Sequence, residues 1–266
     1  MVDIFGFSSI LFALASLSEA VGSVLFYFII GITPCVLWLI FYLFQDRHPE
    51  PKKEILAVFA LGAAMTVPAT AIELFLENMA IEIGLTGIAA TIIFNVVGVA
   101  MVEEFFKYEA FWRREQAINR NRYLDEPPDF VIYMIAAAMG FAAVENILYL
   151  LMESPDPLVM RLFFRAITAI FLHTLCSGLL GYYMAMAFSQ VEKRGRLIAT
   201  GFVMVSCLHG LYNFSIIESK YNSIFLFVPL AILFFMAIAL YARYQSLLRM
   251  KSVCETSSKL KTQNAK

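Results

Sequence analysis

The sequence predicts an all-α fold, a polytopic transmembrane helix bundle of seven or eight spans, and three observations lead there. Hydrophobic residues make up 61% of the 266 positions and charged residues only 15%, against about 25% charged in soluble domains. The mean hydropathy is +0.75. Several apolar runs reach 18 residues or more, enough to cross a hydrocarbon core about 30 Å thick at 1.5 Å per residue. The strong period-2 alternation of a membrane barrel is absent, so the backbone groups must be satisfied within helices.

In chain order, residues 4–17 come first, apolar but short and interrupted by Ser18 and Glu19; they are read as an eighth span. No basic segment precedes them and no clear cleavage site follows, which argues against a secretory signal. Seven full spans follow at about 22–44, 55–77, 84–108, 130–152, 161–188, 196–217 and 223–245. Between the third and fourth, residues 109–129 form the longest connection, where Tyr108 to Ile118 can prolong the third helix until Pro127 and Pro128 stop one element and start the next. Residues 1–250 read as one membrane domain, without an internal repeat. Residues 251–266 are rich in Ser, Thr and Lys and read as a disordered tail.

Basic residues set the expected orientation. Seventeen of the twenty Lys and Arg fall in alternate connections and the tail, with only Arg161, Arg165 and Lys220 on the other side. The basic connections and the C-terminal tail are therefore expected in the cytoplasm, with the chain in the cell membrane. The net charge of -1 hides this asymmetry, and the scattered basic groups carry no nucleic-acid signal. Cys35, Cys176 and Cys207 lie in spans and Cys254 in the tail, so no disulfide framework is indicated.

Polar groups inside the apolar runs carry the functional information. A charge at a helix centre costs roughly 2.5–3.5 kcal/mol on insertion scales, so Glu103, Glu104 and Lys107 in the third span define a candidate site. The bland alternative is that they snorkel to water at the cytoplasmic helix end. Glu145 is harder to explain that way, since fifteen residues into its span correspond to about 22 Å of depth. His173 and His209 are similarly deep, and Asn213 follows His209 by one helical turn, on the same face. Interhelical packing could absorb any one of these, with Asn146 as hydrogen-bonding glue. Four spans carrying such residues point instead to one shared pocket. His48, in a polar loop, reads as solvent-facing.

Two chemistries fit the set. In the preferred one, with no cofactor, a glutamate accepts a proton from water while His209 and Asn213 stabilise the tetrahedral oxyanion of a peptide bond under attack. In the other, Zn²⁺ is held by His173, His209, Glu103 and Glu145 and activates the water. No His-Glu-x-x-His occurs, which weighs against the local zinc-protease pattern while leaving ligands from separate helices open. Glu103 and Glu145 in one dry pocket cannot both ionise cheaply, so one is expected to hold a proton. Glu73, toward the outer end of the second span, is expected to lie apart from the chemistry.

Glu-Glu-x-x-Lys at 103–107, Phe-x-x-x-Glu-Asn at 141–146, the span with His173, and His-x-x-x-Asn at 209–213 together resemble the PrsW intramembrane proteases. Residues 46–52 (Asp-Arg-His-Pro-Glu-Pro-Lys) resemble a loop of that family, so the similarity covers about residues 30–220. The wider CAAX prenyl-protease and bacteriocin-processing superfamily has Glu-Glu-x-x-x-Arg and Phe-x-x-x-His instead. Lys107 and Glu145 depart from those and favour the PrsW branch. The resemblance implies that Glu103 or Glu104 activates water, Glu145 and His173 shape the site, and His209 with Asn213 forms the oxyanion hole, with Lys107, Phe141 and Asn146 in support. It further implies a single-span membrane protein as substrate, such as an anti-sigma factor. Intramembrane Glu and His also serve proton-coupled transporters, although the repeats and broken helices of transport folds are not seen. A non-catalytic membrane scaffold is the remaining alternative.

Overall fold

The computed structural model describes residues 25–46, 48–117, 124, 126–152 and 164–250. Within them, seven helices are long and apolar enough to cross a membrane, and no strand occurs. We label them α1 (Leu25–Leu43), α2 (Lys52–Glu82), α3 (Ile88–Gln116), α4 (Asp129–Leu151), α5 (Phe164–Ser189), α6 (Val191–Glu218) and α7 (Ser223–Leu247). Each coincides with an expected full span to within a few residues. The third helix does run past Tyr108, with regular winding to Ala117. The expected eighth span at 4–17 and the tail from 251 lie outside the described residues.

Burial is uneven. The most apolar window of α4 is 83% buried and that of α5 61%, whereas α1 and α7 stand at 17% and 22%. The bundle therefore wraps around α4, with α1 and α7 as peripheral helices facing lipid. Small residues make this possible: Ala136, Ala137, Ala138, Gly140, Ala142 and Ala143 give α4 a narrow waist. A Cβ placed on Gly140 would run into the Phe59 carbonyl oxygen, so α2 and α4 touch backbone to backbone. One step on, Thr66 donates to the Phe141 carbonyl at 3.2 Å.

At the end of the bundle where α2 and α4 begin, Tyr133 donates to Glu50 at 2.6 Å and Arg114 donates to Glu54 at 2.8 Å. The first pair ties the α1–α2 connection to the central helix, and the second ties the far end of α3 to the start of α2. His48 faces solvent as expected, with its ring nitrogen Nδ1 2.9 Å from Glu126.

Inside α3, Phe94–Ala100 is wound as a π-helix between Ile88–Ile93 and Met101–Ala117. Such segments are uncommon and recur at functional sites. Here α6 packs directly on it: a Cβ on Gly210 would lie 2.5 Å from Val96 Cα. That contact brings the residue before Gly210, His209, against the next turn of α3.

Candidate active site

Four helices deliver polar side chains to one place. From α3 come Glu103, Glu104 and Lys107; from α4, Phe141, Glu145 and Asn146; from α5, Arg165 and His173; from α6, His209. Snorkelling is ruled out for the α3 group, because Glu104 and Lys107 are 0% exposed and Glu103 only 6%. Positions i, i+3 and i+4 share a helix face, and Lys107 Nζ accordingly reaches Glu104 Oε1 at 2.8 Å and Glu103 Oε2 at 3.1 Å. The ammonium lies 4.8 Å from the centre of the Phe141 ring, within cation–π range.

The hydrogen bonds orient both histidines. Lys107 Nζ stands 2.7 Å from His173 Nδ1. An ammonium has no lone pair to offer, so Nδ1 is the acceptor and Nε2 carries the proton. That Nε2 faces Glu145 Oε2 at 2.7 Å. In His209, Nδ1 lies 2.9 Å from Glu104 Oε1 and must donate to it. Glu103 Oε2 lies near both rings, 3.7 Å from His173 Nδ1 and 3.8 Å from His209 Nε2. The two rings stand edge to face, 5.2 Å apart.

Arg165, counted on sequence grounds only among the basic residues at the non-cytoplasmic side, belongs to this site. Its NH2 donates to Glu145 Oε1 at 2.8 Å and its Nε to Asn146 Oδ1 at 3.0 Å, while the guanidinium lies 4.3 Å from the Tyr149 ring centre. The Asn146 amide in turn donates to the Gly31 carbonyl at 3.2 Å, anchoring α4 to α1. Glu145 therefore has a cation of its own in Arg165, whereas Glu103 and Glu104 share Lys107. Arg165 precedes His173 by eight residues, about two helical turns and the same face, which is the signal that could have revealed it.

Two further placements differ from expectation. Glu73 is not remote: it lies within electrostatic reach of Glu103, Glu145 and Lys107, and its Oε1 is buried without a hydrogen-bond partner. Asn213 is half-buried on α6, and its side chain makes no hydrogen bond to the cluster among the described residues. With His209 Nδ1 already engaged by Glu104, the expected His209–Asn213 oxyanion pair is not assembled here.

The residues fit a metal ion once the Lys107 ammonium gives up its contact with His173 Nδ1. Glu103, His173 and His209 each present a ligand atom, all within 4.8 Å of one another, and His₂Glu is a donor set used by catalytic zinc. Glu104, Cys176 and His209 form a second such group. Glu145 stands behind His173, in the position of a carboxylate that orients a ligating imidazole, so it is not itself a member of the cluster. Glu104 Oε2 is a buried carboxylate oxygen without a hydrogen-bond partner, as expected beside a site for water or an ion.

A helical membrane bundle that walls carboxylates and imidazoles away from lipid holds the kinds of group that an intramembrane protease requires. The comparisons agree. The family model described as PrsW family intramembrane metalloprotease matches residues 50–241, and the chain belongs to that family. Protease PrsW of Oceanobacillus iheyensis is 28% identical over 211 residues, covering 79% of this chain and 91% of that protein. Protease PrsW of Geobacillus kaustophilus is 28% identical over 191 residues, covering 71% and 79%, and that of Bacillus subtilis 27% over 201 residues, covering 75% and 86%. No solved structure matches.

Proposed function

We propose that this intramembrane protease cleaves single-span membrane proteins, with regulators such as an anti-sigma factor as the substrate type, at a divalent metal site formed by Glu103, His173 and His209. The observation that supports this reading is a convergence: Glu103 Oε2 lies 3.7 Å from His173 Nδ1 and 3.8 Å from His209 Nε2, while the other nitrogen of each ring stands against a carboxylate. Carboxylate-backed histidines of this kind accompany metal ligation. Zinc bound there would supply a Lewis acid that makes water nucleophilic near neutral pH.

The protein's own groups carry the proton. Glu104 Oε2 is the free carboxylate oxygen beside the cluster and serves as the general base, taking a proton from the attacking water. As the water oxygen bonds to the scissile carbon and the C–N bond breaks, the same oxygen returns that proton to the leaving amine. Lys107 and His209 hold the other oxygen, Oε1, and keep the carboxylate oriented. The basic connections and the tail face the cytoplasm in this reading, and the chain resides in the cell membrane.

A second reading has its own observation. Lys107 Nζ already contacts Glu103, Glu104 and His173 Nδ1, so the cluster is partly charge-compensated by the chain itself. A metal-free mechanism would use Glu103 as base, with His209 and Asn213 turning toward the oxyanion on substrate binding. Zinc analysis of the purified protein, paired with cleavage of a single-span substrate before and after chelation, separates the two. Stoichiometric zinc, and activity lost on chelation and restored by zinc, supports the first reading. Full cleavage by zinc-free protein sinks it.

A further inference from the structure

On the opposite side of α5 and α6 from the active-site wall, a cavity of about 650 Å³ opens between α5, α6 and α7. Its lining is apolar, including Leu179, Met204, Leu208, Phe227 and Met236, until Arg243 at one end. Phe227 and Arg243 are sixteen residues apart on α7, about 24 Å at 1.5 Å per residue. The groove is open along part of its length and offers almost no polar group before Arg243, so it suits a hydrocarbon chain and not a polar ligand.

The charge at the end narrows the occupant further. Arg243 is exposed, lies 5.3 Å from the centre of the Tyr182 ring, and has no carboxylate partner among the described residues. It sits near the C-terminal end of a membrane-crossing helix, where a guanidinium reaches the headgroup layer. We propose that this groove is a binding site for an anionic phospholipid, with one acyl chain between α6 and α7 and its phosphate on Arg243. The bound chain fills the gap beside Leu208, next to His209, and so braces the helix that presents that imidazole. The site is independent of the mechanism used at the cluster.

Native mass spectrometry of the full-length protein, titrated with phosphatidylglycerol or phosphatidylcholine, tests this. The wild type should retain phosphatidylglycerol preferentially, and Arg243→Gln should reduce that preference about fivefold, the scale of one interfacial cation. Ala239→Trp fills the groove and should abolish retention of both lipids, and Ala231→Trp, lower in the same groove, should do likewise if the first variant folds poorly. Unchanged headgroup preference in Arg243→Gln overturns the proposal. So does undiminished lipid retention in a folded tryptophan variant, or a raised KM for a single-span substrate with lipid retention unaltered, which would make the groove a substrate contact.

Discussion

The two histidines are held by carboxylates of different construction. His209 is engaged by Glu104, which is fully buried and neutralised by Lys107 from the same helix, three residues on. His173 is engaged by Glu145, whose side chain is 30% exposed and is neutralised by Arg165 from another helix. One arm is local and dry; the other crosses helices at the rim of the pocket. In the dry arm the charge pair Glu104–Lys107 is set by α3 alone, and it tolerates no loss of charge balance. The rim arm depends on packing between α4 and α5, and water can screen its defects.

The predictions follow that contrast in order of size. Glu103→Gln removes the carboxylate that lies near both rings and should lower cleavage at least about 10³-fold, with the protein still folded by circular dichroism. Full activity in that variant would break the shared centre of the two arms. Lys107→Met leaves two buried carboxylates without their cation and should destabilise the fold by about 3–5 kcal/mol, read as a lowered thermal midpoint in detergent. Arg165→Met, on the wetter arm, should cost visibly less stability than Lys107→Met in the same melts. Its effect should appear as a drop of about 10–100-fold in zinc affinity or cleavage, as for other residues that orient a ligand, with Glu145→Gln alike. Combining Arg165→Met with Glu145→Gln should then add little to either alone, since both act through His173; a fully additive double variant would separate them.

Glu73→Gln should give the smallest change, because Glu73 meets the cluster only through its field. An effect on cleavage as large as that of Glu145→Gln would show that a third carboxylate takes part directly.

Most of the fold was legible because membrane thickness dictates the length of an apolar run, and seven such runs became seven helices. The main site residues were legible for a related reason: a carboxylate or imidazole deep in an apolar run stands out energetically. What escaped depends on rotation and end position. Arg165 lies four residues from the expected start of its span, where an arginine ordinarily meets water, so nothing along the chain separates a site cation from a loop cation. Glu73 was set apart by its height on α2, and height alone does not tell that its field reaches Glu103, Glu145 and Lys107. The roles of His209 and Asn213 were read from their shared face, but the partner that claims the imidazole, Glu104, comes from another helix.

The π-helical stretch Phe94–Ala100 ends just ahead of the Glu-Glu pair and carries its irregularity in the backbone alone. One residue of extra winding corresponds to about 100° of rotation in an ordinary helix. Straightening that segment would swing the acidic pair around the α3 axis relative to Ile88–Ile93, away from the imidazoles, with no side chain changed. A one-residue deletion there could therefore silence the enzyme while leaving every recognisable motif intact.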